Sequence, residues 1–424
     1  MNYIEDIYNY FFDNETGKTD YSALRSGVIS DYKTYKDYLA TYDIKKYNLK
    51  KANKFKSDWY KSYLDTRELI DDYIKNADNP CFKEDYNYAY EAFYTNLNDD
   101  YAKYYLFRLL IEETFYPFVI PSNNNLFTES RKLLNYFAQI NHKNIITGQH
   151  TQTVGQEELT HIKSITGHYP KLVGYELLAC SQNINPNSDS ECLEEVEDNK
   201  GTLQVALYDK NIITFTWHMF SPLYGVGKTF YEKNTTFDVR EIIEDKTSPE
   251  YNAFINELDH MSKLLKHFSE IKKPILFRPF HEADGTWFWW GKYGANYASE
   301  LFKITYNYFV KEKELNNLIW VWNSIDAYPG DEYVDIISVD CYGKEKDAET
   351  CYLDKYNELI TKVSNKKLVA LAECDVIPDY KLLKENNFPY IYYMTWSKEF
   401  CLTEKYNSNE KLKKFYKEDG VIKE

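Results

Sequence analysis

The sequence predicts an α/β fold, a (β/α)8 TIM barrel preceded by an α-helical region, on three observations. Eight short apolar runs recur over about 300 residues with amphipathic helical patterns between several of them, the alternation of a parallel sheet with helical crossovers. Polar and aromatic residues gather just after several of these runs, where the strand ends of a barrel form the floor of a site. No glycine-rich dinucleotide turn follows the first run, and open doubly wound sheets rarely need so many strands.

From Tyr3 to about Phe118 no strand alternation is found. Tyr, Leu, Ile and Phe recur every three or four residues between lysines and acids, as in Trp59–Leu64 and Tyr101–Leu110, which is the amphipathic helix signature, with Asn79–Pro80 as a helix boundary. Two prolines and three consecutive asparagines between Pro117 and Asn125 mark the boundary, giving a helical region over residues 1–122 and a barrel over 123–424. The strand runs of the barrel are Ile145–Ile146, Leu172–Val173, Ile212–Trp217, Ile275–Phe280, Leu318–Trp322, Ile336–Val339, Leu368–Leu371 and Ile391–Thr395. Lacking alternation, they read as strands covered on both faces. Helical patterns lie at Glu157–Ile165, Tyr251–Phe268, Tyr297–Val310 and Cys351–Val363.

Composition narrows the function. Lysine and arginine total 51 against 66 acids, a net charge of −15, and no long basic run is present, so a nucleic-acid partner is not expected. No apolar stretch approaches the roughly 20 residues that cross a bilayer, and Met1–Asp6 lacks a basic then apolar leader. A soluble monomer, either cytoplasmic or already trimmed, is the expectation. The seven cysteines are an odd set without a Cys-x-x-Cys pair, which points to free buried thiols. The 42 tyrosines suit both half-buried helix faces and sugar-contacting surfaces.

Several runs end in residues able to do chemistry: Trp217 and His218 after the third, Arg278, His281 and Glu282 after the fourth, Asp340 and Tyr342 after the sixth, Glu373 after the seventh and Trp396 after the eighth. Trp287, Phe288, Trp289 and Trp290 follow the fourth in succession, an aromatic density that a solvated loop gains nothing from. Glu282 and Glu373 each directly follow an apolar run and would point into one cavity. Opposed carboxylates in a dry aromatic cleft are the equipment of glycoside hydrolysis, one protonating the leaving oxygen and the other attacking or stabilising the cationic sugar carbon. Asp284 reads as loop structure. Two other motifs fail on spacing. Gly225–Thr229 resembles the end of a phosphate loop, but Pro222 stands where its first glycine is needed; His281–Glu282 begins like a zinc-protease helix, but Gly285 stands where the second histidine is needed.

The stretch Arg278-Pro279-Phe280-His281-Glu282, with Gly285 and Trp287–Gly291, resembles the acid/base motif of glycoside hydrolase family 26, the family typified by β-mannanases. Gly148-Gln149-His150, Thr166–Pro170, Trp217-His218, Asp340–Gly343, Ala372-Glu373 and Thr395-Trp396 follow in family order, so the resemblance covers roughly residues 128–400. It implies a retaining barrel glycosidase with Glu282 as general acid/base and Glu373 as nucleophile, the two carboxyls about 5–5.5 Å apart. It further implies that Tyr342 touches the nucleophile, that Arg278 holds it ionised, that His281 contacts the sugar or the catalytic machinery, and that Trp287 and Trp396 line the subsite of the reacting sugar. Trp217, His218, Trp290 and Asp340 complete the substrate-binding set. No metal or organic cofactor is called for.

Two departures bear on substrate. Tyr175-Glu176 follows the second run where the family is expected to carry an aspartate, and the N-terminal helical region has no counterpart in the family's catalytic core. The expected activity is cleavage of β-1,4-mannosidic bonds in mannan, glucomannan or galactomannan. The alternatives are β-1,3-xylan or mixed-linkage β-glucan specificity on the same scaffold, and a barrel that only binds polysaccharide. Whether cleavage is endo or exo stays open.

Overall fold

Residues 121–123, 125–223, 229–342, 352–364 and 367–424 are described by the structure, a computed structural model. The expected N-terminal helices, the phosphate-loop-like residues 225–228, Gly343 and Cys351 lie outside them. Eight parallel strands close into the expected barrel: β1 (Ile145–His150), β2 (Leu172–Glu176), β3 (Ile212–Trp217), β4 (Ile275–Pro279), β5 (Leu318–Asn323), β6 (Ile336–Cys341), β7 (Leu368–Cys374) and β8 (Tyr392–Thr395), with β1 pairing both β8 and β2. A ninth short strand, β9 (Val421–Ile422), pairs with Ile145 and Ile146, ahead of the point at Gly148 where β2 joins β1. Nearly every strand residue is buried, which is why the sequence shows runs and no alternation.

Two apolar clusters separate the faces. Ile213, Phe215, Phe277, Trp320, Trp322, Leu371 and Tyr393 point outward and pack with the surrounding helices. Ile146, Leu172, Leu276, Ile319, Ile336, Leu368 and Tyr392 point inward, where they meet Leu134, Phe137 and Ala138 of the helix Thr128–Ile140. That helix closes the N-terminal end of the barrel with apolar side chains. Toward the C-terminal end, positions of the same parity become polar: His150, Glu176, Thr216, Arg278, Asn323 and Asp340.

β7 breaks this parity by design of its backbone. Its register against β6 shifts so that Leu371 faces Val339 while Glu373 faces Asp340, leaving Ala372 as an extra residue. Alternation from Leu368, Ala370 and Ala372 would send Glu373 outward. The bulge turns it inward, beside Asp340.

The helix at 249–270 starts two residues earlier than its apolar pattern, because Ser248 accepts a hydrogen bond from the Tyr251 amide at 3.0 Å and Pro249 occupies the first turn. The patterns expected at Tyr297–Val310 and Cys351–Val363 appear as Ala295–Tyr306 and Leu353–Glu358, each continuing into one wider π turn. Shorter helices, among them Ser190–Asp198, Thr202–Tyr208 and Val239–Glu244, carry too few apolar residues to show a period. Cys180, Cys192, Cys374 and Cys401 are thiols outside any disulfide, as expected. Among the described residues no helix is long and apolar enough to cross a membrane.

Gly148 pairs with Met394 of β8, and a Cβ there would overlap the Tyr393 carbonyl oxygen, a backbone atom that cannot rotate away. Gly148→Ala is expected to destabilise the barrel by roughly 1–3 kcal/mol, read as a lowered urea midpoint at unchanged slope.

Candidate active site

The polar end of the barrel is organised around Arg278, which is fully buried on β4. Its guanidinium donates to Asp340 at 2.7 Å, to Thr216 Oγ1 at 2.8 Å and to Glu373. Glu373 also accepts the Tyr342 hydroxyl at 2.6 Å. Asp340 is held on its other oxygen by the Asn323 amide at 2.8 Å, and Asn323 Oδ1 in turn accepts the backbone N–H of Glu282 at 2.7 Å. A continuous run of contacts, Glu373 to Arg278 to Asp340 to Asn323 to Glu282, therefore ties the two glutamates of interest together.

Glu282 sits on a constrained turn. Phe280 and Glu282 both have positive φ, 53° and 51°, a conformation that side chains other than glycine rarely adopt. The turn is fixed by Asn323 on one side and on the other by the Trp290 indole, which donates to the His281 carbonyl at 2.9 Å. Trp287 is half exposed and its indole N–H meets Glu282 Oε2 at 2.6 Å. Its ring lies against Gly285, where any Cβ would collide with it. The same loop is fastened to the one after β3 by main-chain bonds, Glu232 N to Trp287 O at 2.8 Å and Trp289 N to Phe230 O at 3.1 Å, with Tyr231 bridged to Phe288.

A second polar chain crosses the floor. Glu176 accepts the backbone amides of Leu177, Leu178 and His218, each at 2.8–2.9 Å, and its other oxygen lies 2.7 Å from His218 Nδ1. His218 Nε2 then meets His281 Nε2 at 3.1 Å. Burial pushes His218 down, but the charge and hydrogen bond of Glu176, helped by Glu195 and Glu373, reverse this and hold it up at about 9. His281 is pushed well below the ordinary histidine range by burial and by the neighbouring His218 and Arg278 charges. A protonated His218 thus donates to a neutral His281.

The two glutamates stand in unlike surroundings. Glu282 is raised to about 7, first by burial and then by the charge of Glu373, against a smaller opposing pull from the Trp287 hydrogen bond. Glu373 carries a guanidinium and a phenol as donors, both of which stabilise its negative charge. His281, Asp340 and Glu373 could offer ligand atoms within 4.8 Å of one another, but Arg278 already supplies the positive charge to both carboxylates.

Glu282, Glu373, His218, His281, Arg278, Asp340, Tyr342, Trp287 and Trp396 converge on this end of the barrel. Two expected members of the sugar-facing wall do not open onto it. Trp217 has the outward parity of β3 and Trp290 stacks on Phe288 at 4.5 Å; both are buried in the outer core and hold the site from behind. Arg278 and Asp340 are likewise enclosed and act on Glu373 and Asn323. The structure also brings Asn323, Glu176 and His150 to this end of the barrel, where the sequence gives little signal for them. Asn323 ends the apolar run Leu318–Trp322, Glu176 stood out only as a departure, and His150 lay inside a quoted motif.

Residues 122–424 match the family model of glycosyl hydrolase family 26. The chain is 34% identical over 220 residues to a mannan endo-1,4-β-mannosidase of Thermothelomyces thermophilus, covering 50% of this chain and 45% of that protein. It is 34% identical over 218 residues to mannan endo-1,4-β-mannosidase B of Piromyces, covering 50% of this chain and 37% of that protein. The match thus spans less than half the length of these two relatives. Among solved structures, the Podospora anserina GH26-CBM35 β-(1,4)-mannanase superposes with a TM-score of 0.63 at 30% identity, over 73% of this chain and 68% of that one. A β-mannanase from a symbiotic protist of the termite Reticulitermes speratus, complexed with gluco-manno-oligosaccharide, gives 0.63 at 29% identity over 72% and 96%. A closed parallel barrel, two glutamates at the ends of its fourth and seventh strands, and a match running from residue 122 to the end of the chain converge on one conclusion: the chain belongs to glycosyl hydrolase family 26.

Proposed function

We propose that this chain hydrolyses β-1,4-mannosidic bonds in mannan-type polysaccharides with retention of configuration, Glu373 serving as nucleophile and Glu282 as general acid/base. The observation that carries the reading is the unlike environment of the two glutamates, one with its carboxyl raised to about 7 and the other surrounded by donors. The names of the relatives, mannan endo-1,4-β-mannosidases, support the substrate class.

In the first step a Glu373 oxygen bonds to the anomeric carbon as the glycosidic C–O bond breaks, and Glu282 gives its proton to the departing oxygen. In the second, water attacks the same carbon, Glu282 takes a proton from it, and the ester to Glu373 breaks. Arg278 and Tyr342 each hold one oxygen of the attacking carboxylate and so fix its plane. Trp287 orients the acid and, with Trp396, offers apolar surface to the sugar ring. His218 and His281 form the polar floor beside it.

Glu373→Ala is expected to abolish turnover of both mannan and aryl mannosides. Glu282→Ala should lower mannan turnover by about 10²- to 10⁴-fold while an activated aryl leaving group still shows a burst; substantial residual mannan hydrolysis by Glu373→Ala overturns the assignment. Reducing-sugar release across mannan, glucomannan, xylan and lichenan tests the substrate.

Because Glu282 must be protonated in the free enzyme, kcat/KM should fall as pH rises through about 7. The Trp287 hydrogen bond favours the ionised form, so Trp287→Phe should move that alkaline limb upward; a limb that stays put or moves down counts against Glu282 as the acid.

A further inference from the structure

His150, at the end of β1, has no part in the reaction just described, yet its surroundings are built. The ring is buried and lies face to face with Trp396, centroids 3.8 Å apart and planes 13° from parallel. Its Nδ1 is 3.2 Å from Ser397 Oγ, next along the chain from that tryptophan. Among the described residues nothing meets Nε2, so the ring is held mainly through its face. Burial, then the charges of His218 and Arg278, keep it neutral, and a neutral imidazole stacks as a flat apolar plate.

The preceding residue fixes the backbone of the same tryptophan. The Gln149 side-chain amide donates to the carbonyls of Trp396 at 2.9 Å, Thr395 at 3.1 Å and His150 at 2.8 Å, and its oxygen accepts the Thr395 hydroxyl at 2.5 Å. Trp396 itself is only partly buried. One of its faces is taken by His150, the His218 ring meets it edge-on with centroids 6.1 Å apart, and part of the indole stays accessible.

We infer that His150 is the positioning residue of the Trp396 platform: with Gln149 and Ser397 it sets the tilt of the indole from below, and so governs how tightly the reacting sugar is held, without touching that sugar. The inference rests on the reading of Trp396 as part of the sugar wall.

The test is a double-mutant cycle on the full chain, with KM and kcat on mannohexaose and thermal unfolding measured for each variant. His150→Ala should lower kcat/KM by on the order of tenfold to a hundredfold, the scale for misplacing a positioning group, with KM rising more than kcat falls. In a Trp396→Ala background the same change should cost little more, because the two act as one unit. His150→Phe, which keeps a flat face, should restore most of the loss. If His150→Ala does not fold, His150→Leu, which fills the space without a flat face, and Ser397→Ala take its place in the cycle with Trp396→Ala; coupling supports the inference and additivity overturns it. Additive losses at His150 and Trp396 in an active enzyme overturn this inference alone; a wild-type chain inert on every β-glycan overturns it together with the function.

Discussion

A guanidinium enclosed by protein is tolerable only when its charge is compensated, since removing an ion from water costs several kcal/mol unless partners make it up. Arg278 meets that condition through its two terminal nitrogens, which reach two carboxylates and a threonine hydroxyl, and the rest of the polar end follows from it. Asp340 must face Arg278, which leaves its second oxygen for Asn323; Asn323 must therefore present its amide to Asp340 and its carbonyl oxygen to the turn that carries Glu282. The relative placement of the two glutamates is in this sense a consequence of neutralising one buried cation.

The barrel divides its labour along its axis. The N-terminal end is apolar and closed by the helix Thr128–Ile140, and it resembles the packed core expected of such a fold. The C-terminal end gives up apolar packing for two polar chains, one running through Arg278 and the other through Glu176, His218 and His281. It also accommodates two residues of positive φ, Phe280 and Glu282, on either side of His281. The outer cluster, with Trp217, Trp289, Trp290 and Phe288, surrounds that strained turn and supplies the packing that keeps it in place.

Much of this was legible in the chain because the signals are local. Continuous apolar runs reveal two-sided strands, and the charged knot at Arg278–Glu282 announces itself against them. What the chain hides is orientation. Trp217 and Trp290 look like wall residues, yet strand parity sends the first outward and a hydrogen bond to the His281 carbonyl locks the second behind the turn. Glu373 is the opposite case: parity would send it outward, and only the extra residue Ala372 brings it in, a backbone irregularity with no signature in residue type. Asn323 was missed because an asparagine after an apolar run ordinarily reads as a turn, and its two-way hydrogen bonding exists only in three dimensions.

The main-chain seam between the loops after β3 and β4 has a wider meaning. Glu232 to Trp287 and Phe230 to Trp289 are joined through peptide groups, which every residue possesses, so the distance across that flank of the cleft is independent of which side chains decorate it. A scaffold of this kind lets the side chains on one bank of the cleft be repainted while the turn that carries Glu282 stays anchored, separating change at the surface from upkeep of the frame.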